Sequence, residues 1–361
     1  MVDFDALEAA GVANARERAA LIEYLDGLGF TDDEMVEAER RGRLFGLAGD
    51  VLQRSGQPVY TLREAARELG VTVAELAHAW SALGLSAPDS DQPVFSQVDI
   101  DGLGSWVAMK SAVGDDATLT LLRVLGASMA RLAEAGSTAI RLGLPNIQME
   151  HSGDELTTAQ AYRTVGEFIP RLAVLIDAIF RHHTISARTY FEGVIRDASA
   201  SVICGIGFAD LTGFTSLTHR LTPTELSSLL VEFAAAVSDV VLADGGRVVK
   251  FIGDEVMWVS STPEQLAKVA LDLVELPRAR DSGLQVRAGL GYGSVLAIGG
   301  DYFGTAVNLA ARLVGAAAPG QILVSSDVRD ELTDWAAIPQ DALVLKGFDD
   351  PVTAYDLHLS R

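Results

Sequence analysis

Six polar side chains stand in fixed order between residues 210 and 312: Asp210, Lys250, Asp254, Asp301, Asn308 and Arg312. Asp210 closes an apolar run that begins at Val202, and Asp254 sits in the turn Ile252-Gly253-Asp254-Glu255. Neighbouring strands would bring these two carboxylates together, which is unfavourable unless a cation lies between them. Mg2+ suits such a pair, because it takes one or two carboxylates together with substrate phosphates. Two ions of this kind can grip both the attacking and the leaving oxygen of an in-line displacement. Leu211-Thr212-Gly213-Phe214-Thr215 follows Asp210 directly. Gly213 permits a turn in which the backbone N–H groups of Gly213, Phe214 and Thr215 cradle a phosphate. The chemistry these residues suit is a metal-dependent reaction on a nucleoside triphosphate.

Lys250 precedes Asp254 by four residues, so strand alternation puts both on one face. A lysine donor beside the acceptor Asp301 matches N1 and N6 of adenine, whereas guanine presents the reverse polarity. The pair therefore points to ATP rather than GTP. Asn308 and Arg312 are one helical turn apart. The arginine can offset charge on a transferring phosphoryl group, and the amide can orient a ribose oxygen. Singly, each residue is commonplace, since strand-end aspartates cap turns and polar pairs decorate helix surfaces. Their number and order carry the argument.

The elements that must position these groups alternate after about residue 200. Apolar periodicity and turn residues predict strand 202–208, helix 223–243, strands 247–252 and 256–259, helix 264–275, strands 285–291 and 295–298, helix 305–316 and strand 321–324. Thr222-Pro223-Thr224-Glu225 combines a cap, a first-turn proline and a capping glutamate. The order β-α-β-β-α-β is ferredoxin-like. The fold class expected is α+β, with an all-α half in front.

Residues 200–361 resemble the catalytic domain of the class III nucleotidyl cyclases. The resemblance rests on Phe208-Ala209-Asp210-Leu211-Thr212-Gly213-Phe214-Thr215, Lys250-x-x-Gly253-Asp254, Asp301-Tyr302-Phe303-Gly304, Asn308-x-x-x-Arg312 and Leu345-Lys346-Gly347-Phe348, all in order. It implies that Asp210 and Asp254 bind two Mg2+ or Mn2+ ions per active site. It implies that Lys250 and Asp301 select adenine, that Asn308 and Arg312 position the ribose and stabilise the transition state, and that Lys346 touches the triphosphate. It also implies a head-to-tail homodimer, with the aspartates from one subunit and the other four residues from its partner. The implied reaction converts ATP to 3′,5′-cyclic AMP and pyrophosphate by two-metal-assisted attack of the 3′-hydroxyl on the α-phosphate. Guanylyl cyclases usually replace the lysine and the adenine-binding aspartate; both are present here.

Residues 1–190 read as a helical regulatory domain. Thr31/Glu34, Thr61/Glu64 and Thr72/Glu75 are capping-box starts. Residues 60–84 read as helix, turn at Gly70, helix, with Ala65, Leu69, Leu76 and Trp80 inside, and resemble a helix-turn-helix. Its second helix offers Glu75 and His78 but no Lys or Arg, which argues against DNA. A helical pattern spans 117–142. A linker helix spans about 158–195, with a kink or break at Pro170 and a buried stretch from Leu172 to Phe180. His182 and His183 lie late in that helix and are candidates for a proton switch. The whole half is similar to the regulatory region of soluble bacterial cyclases that respond to pH or to apolar ligands such as fatty acids. That resemblance implies autoinhibition and a fatty-acid-like ligand among the helices.

The 361 residues carry a formal net charge of −21, so a phosphate backbone is repelled and no nucleic-acid partner is expected. Cys204 is the lone cysteine, mid-strand and apolar in context, which suits a reducing cytosol. Met1-Val2-Asp3-Phe4-Asp5 lacks the apolar region of a signal peptide, and no apolar run reaches about 18 residues. The expected location is cytoplasmic, with peripheral contact at the inner membrane surface left open. Three alternatives stand beside an ATP cyclase: a guanylate or diguanylate cyclase, a helix-turn-helix transcription regulator, and a nucleotide-binding pseudoenzyme. Ile252-Gly253-Asp254-Glu255-Val256 departs from the Gly-Gly-Asp/Glu-Glu-Phe turn that a diguanylate cyclase needs.

Overall fold

The computed structural model describes residues 2–86, 91–194, 201–276 and 284–359; for residues 189, 191–194, 215 and 216 it describes the backbone alone. The chain divides into two compact units, Met1–His182 and His183–Arg361.

The first unit is helical: α1 (Phe4–Ala10), α2 (Ala19–Gly27), α3 (Asp32–Arg40), α4 (Leu47–Asp50), α5 (Leu62–Glu68), α6 (Val73–Ala82), α7 (Gln97–Val113), α8 (Asp115–Gly143), α9 (Met149–Ser152) and the start of α10 (Glu155–Val194). The three expected capping boxes form, and Ser96 with Asp99 makes a fourth. Leu7, Leu21, Ile22, Leu25, Met35 and Leu44 close one core. Ala65, Leu76, Phe95, Trp106 and Leu119 close a second around the α5–α6 hairpin. Glu75 on α6 is engaged inside the unit, since Lys110 Nζ donates to it at 2.6 Å.

One expectation for α10 is narrowed and another fails. The helix runs through Pro170 without a break. The proline removes one helical N–H and crowds the carbonyl one turn back, and the chain from Glu167 to Leu175 faces water. Leu172 to Phe180 is not buried: Val174 is 72% and Phe180 66% exposed. A 40-residue helix is about 60 Å long, and the side chains it buries in the helical core, such as Ala159, Ala161 and Val165, lie in its first turns.

The second unit is a sheet flanked by helices. Its elements are β1 (Ser201–Thr212), α11 (Phe214–Thr218), α12 (Pro223–Ala243), β2 (Gly246–Ile252), β3 (Glu255–Ser260), α13 (Pro263–Val274), β4 (Gln285–Ile298), β5 (Asp301–Phe303), α14 (Thr305–Ala316), β6 (Ile322–Ser325), α15 (Ser326–Glu331), β7 (Trp335–Pro339) and β8 (Ala354–Leu359). The sheet order is β2-β3-β1-β4-β6-β8-β7, with β5 pairing β4. β1, β2, β3 and β4 are antiparallel neighbours. With α12 and α13 they make the expected ferredoxin-like βαββαβ unit, so the α+β class holds. β6 joins β4 in parallel, and β8 and β7 extend the sheet.

Two sheet boundaries depart from the sequence reading. β1 continues past Asp210, because Asp210, Leu211 and Thr212 keep pairing with Arg287, Val286 and Gln285. The runs 285–291 and 295–298 are one strand, carried through Gly293 by the same ladder. α12 is long and apolar enough to cross a membrane by composition. Here Phe233, Val237 and Val241 pack into the sheet core with Trp258 and Leu266, and Glu225, Glu232 and Asp239 interrupt the helix.

One face of the sheet is covered by α12 and α13. The other packs Cys204, Ile206, Phe208, Met257 and Val259 against Tyr302, Val307, Ala310 and Val314 of β5 and α14. Close approach of α14 depends on Gly289, where an added Cβ would lie 2.2 Å from the Val314 nitrogen and 2.4 Å from the Ala310 oxygen. Both are backbone atoms, so the helix must move. Gly289→Ala is expected to lower unfolding stability by about 1–3 kcal/mol and to reduce turnover through displacement of α14. Denaturant titration and a kinetic assay check both effects; unchanged values for the variant would refute the close-packing argument.

Candidate active site

β1 and the β2–β3 hairpin bring the two metal-type carboxylates together. Ala209 pairs Val256, which sets Asp210 beside the hairpin end, and Ile252 pairs Glu255 around a two-residue turn of Gly253 and Asp254. Gly253 has φ +66°, which a side chain would resist. Burial and the facing Asp210 carboxylate push Asp254 above the usual carboxylate range, against the pull of its own backbone N–H and of Arg287. Glu255 is raised likewise, by burial first and then by Asp210 and Asp254. The crowding of anions foreseen from the sequence is therefore present.

A residue absent from the sequence reading answers part of that charge. Arg287 on β4 donates to Asp210 Oδ2 from Nη2 at 2.6 Å and from Nε at 3.1 Å. Its Nη1 reaches the carbonyls of Gly315 and Ala317 at 3.2 and 3.3 Å. Both guanidinium contacts to Asp210 fall on Oδ2. The signal for Arg287 was its register, the position directly opposite Asp210 across an antiparallel pair. That register is invisible until the two strands are known to pair.

The donor set fits a hard divalent cation. Among the described residues no group of three or more His, Cys, Asp or Glu is placed to hold a metal. Two carboxylates leave the remaining positions to phosphate and water, as an oxygen-preferring divalent ion needs.

Gly213 has φ +84° and opens α11, whose first residue Phe214 packs against the sheet core. The Thr215 side chain lies outside the described residues. Lys250 Nζ donates to Asp301 Oδ2, so the structure brings these two side chains together. Asp301 also accepts from the Tyr302 N–H at 2.9 Å. Asn308 and Arg312 lie on the exposed face of α14, opposite Val307, Ala310 and Val314. Arg312 Nε donates to the Lys346 carbonyl at 3.1 Å, which places the Leu345-Lys346-Gly347-Phe348 segment beside it. Among the described residues no hydrogen bond or ion pair joins Asp210 or Asp254 to Lys250, Asp301, Asn308 or Arg312. His182 and His183 are exposed on α10.

A ferredoxin-like sheet with facing carboxylates on β1 and the β2–β3 turn, and a Lys–Asp pair beside a helix that carries Asn308 and Arg312, is the arrangement of a nucleotidyl cyclase catalytic domain. The comparisons agree. Residues 198–358 match the adenylate and guanylate cyclase catalytic domain, and residues 4–186 match the adenylate cyclase regulatory domain. An uncharacterized protein of Mycobacterium tuberculosis is 65% identical over 357 residues, covering 99% of this chain and 94% of that one. An adenylate cyclase of Streptomyces coelicolor is 31% identical over 277 residues, 76% of this chain and 71% of that one. A pH-sensitive adenylate cyclase of Mycobacterium tuberculosis is 30% identical over 334 residues, 90% and 82%. The chain belongs to the class III adenylate cyclases that carry an N-terminal adenylate cyclase regulatory domain.

Proposed function

We propose that residues 200–361 convert ATP to 3′,5′-cyclic AMP and pyrophosphate at two equivalent sites shared across a homodimer, and that residues 1–190 regulate them. The observation that carries this reading is the pair of juxtapositions in one sheet: Asp210 against Asp254, and Lys250 against Asp301. Asp210 and Asp254 would hold two Mg2+ or Mn2+ ions, which when bound supply Lewis-acid charge at the phosphates. Arg287 holds Asp210 in place by its Oδ2. Lys250 donates to adenine N1, and Asp301 accepts from the N6 amine. Asn308 orients the ribose, and Arg312 meets the charge that builds on the α-phosphate as pyrophosphate leaves. Backbone N–H groups of Gly213, Phe214 and Thr215, together with Lys346, bind the triphosphate tail. Asn308 and Arg312 lie exposed on α14, which suits a site completed by a partner chain.

Base choice is tested by replacing both readers. Lys250→Ala/Asp301→Ala is expected to lower the ATP-over-GTP ratio of kcat/KM by at least about tenfold, because a site built to hydrogen-bond one edge loses both partners. An unchanged ratio removes the pair as base readers.

The regulatory half contains an open apolar groove of about 670 Å³ lined by Met129, Leu132, Ile140, Val165, Phe168 and Ile169, with Arg43 and Arg141 also on its wall. That lining supports a fatty-acid-like ligand. His182 and His183 remain the candidates for a proton switch. The double variant His182→Gln/His183→Gln in the full chain is expected to flatten the activity profile between about pH 5.5 and 8.5; a profile that overlays the parent rules the pair out.

A further inference from the structure

Three residues before Lys250, β2 carries a second cation, Arg247. Residues three apart on a regular strand point to opposite faces. Here the pairing with β3 passes from Val248↔Trp258 to Lys250↔Met257, so Val249 is an extra residue. The bulge re-phases the strand. It puts Arg247, opposite Val259, and Lys250, opposite Met257, on the same face, the one packed against β5 and α14.

The two cations grip consecutive residues of β5. Lys250 takes Asp301, and Arg247 Nη2 donates to the Tyr302 hydroxyl. The guanidinium of Arg247 also lies 4.9 Å from the ring centre of Tyr190 and 5.9 Å from that of Tyr302. Tyr190, near the end of α10, also packs against the apolar cluster that holds Cys204 of β1. Burial pushes Cys204 up to about 11 and raises both phenols, so these three groups stay neutral around the charged Arg247. Tyr302 in turn holds Asp301 Oδ1 through its backbone N–H. The position of the Asp301 carboxylate is thus set by the residue that the stack clamps.

We propose that Tyr190, Arg247 and Tyr302 are positioning residues for base recognition: stacked on one another, they fix where Asp301 sits beside Lys250 and so set the preference for adenine. This rests on the reading of Lys250 and Asp301 as the base-reading pair. The stack works by geometry, since a hydrogen bond to N6 weakens steeply with misalignment and a misplacement of about 1 Å can cost about 10²-fold. It needs arginine, whose planar fork can stack on a ring and donate at once, which lysine cannot do.

Steady-state kinetics with ATP and GTP on the full chain test the proposal, with Tyr190→Ala, Tyr190→Phe, Arg247→Lys and Asp301→Asn assayed together. Tyr190→Ala and Arg247→Lys are expected to raise KM for ATP about tenfold, to change kcat less than about threefold, and to lower the ATP-over-GTP ratio about tenfold. Tyr190→Phe keeps the ring and is expected to retain the parent preference. If Asp301→Asn loses the preference while Tyr190→Ala and Arg247→Lys keep it, the stack is overturned and the base-reading pair stands. If Asp301→Asn keeps the preference, the base-reading pair falls and the stack falls with it. A loss confined to kcat, with KM and base choice unchanged, also overturns the proposal. Should Arg247→Lys fail to fold by circular dichroism, Tyr302→Phe, which removes one hydroxyl, carries the same readouts.

Discussion

Asp210→Ala and Asp254→Ala are each expected to lower cyclase turnover by at least about 10³-fold while leaving the fold intact. A divalent cation at a phosphate contributes several kcal/mol of charge stabilisation, and about 4 kcal/mol is three decades in rate. The structure adds a reason that the loss is not shared equally with folding. Asp254 is pushed toward its neutral form by burial and by Asp210, so the folded chain gains no stability from holding both carboxylates charged. Removal of either one relieves crowding. A thermal-melting experiment separates the roles. Mn2+ without nucleotide is expected to raise the melting temperature of the parent chain, as any ligand of the native state does. It is expected to leave the two variants unmoved. Near-parental turnover in either variant would sink the assignment of these residues to the metal. Arg287→Ala is the useful contrast, because it frees Asp210 from its 2.6 Å partner without removing a carboxylate.

Arg312→Ala is expected to lower kcat by about 10²- to 10³-fold with little change in KM, the pattern of a group that acts on charge present only in the transition state. Lysine in its place is expected to recover little, since a planar fork is replaced by a point charge. The more informative result comes from mixing. In a head-to-tail dimer, a chain with Asp210→Ala paired with a chain with Arg312→Ala has one site with both defects and one with neither. Random pairing makes half the dimers mixed, each with one of two sites intact, so activity is expected to return to about a quarter of the parental value. Two inactive variants that stay inactive together would place the whole site within one chain. The exposed position of Arg312 on α14, tied among the described residues only to the Lys346 carbonyl, is what such sharing needs.

Much of this architecture was legible because its causes are local. A capping box is written in four residues, and the boxes at Thr31, Thr61, Thr72 and Thr222 all form. Asn308 and Arg312 share a face because helical periodicity puts them there, and Asp254 sits in a hairpin turn because Gly253 tolerates positive φ. The misreadings have non-local causes. β5, β7 and β8 are short segments stabilised by their partners, and no periodicity in three to six residues announces them. The helix continues through Pro170 because the cost of one proline, about 3 kcal/mol, is set against a ladder of 40 residues on both sides of it.

Taken by itself, the amino-acid order pointed to the class of chemistry: residue types and spacing led to the expectation of a divalent cation, a triphosphate and an adenine edge before any contact was known. Tertiary structure alone decided who stands beside whom. The β1–β4 register placed Arg287 on Asp210, and the bulge at Val249 turned Arg247 and Lys250 to the same face. The physical reason is that side-chain chemistry belongs to single residues and short windows, whereas strand register is set by packing across the whole sheet.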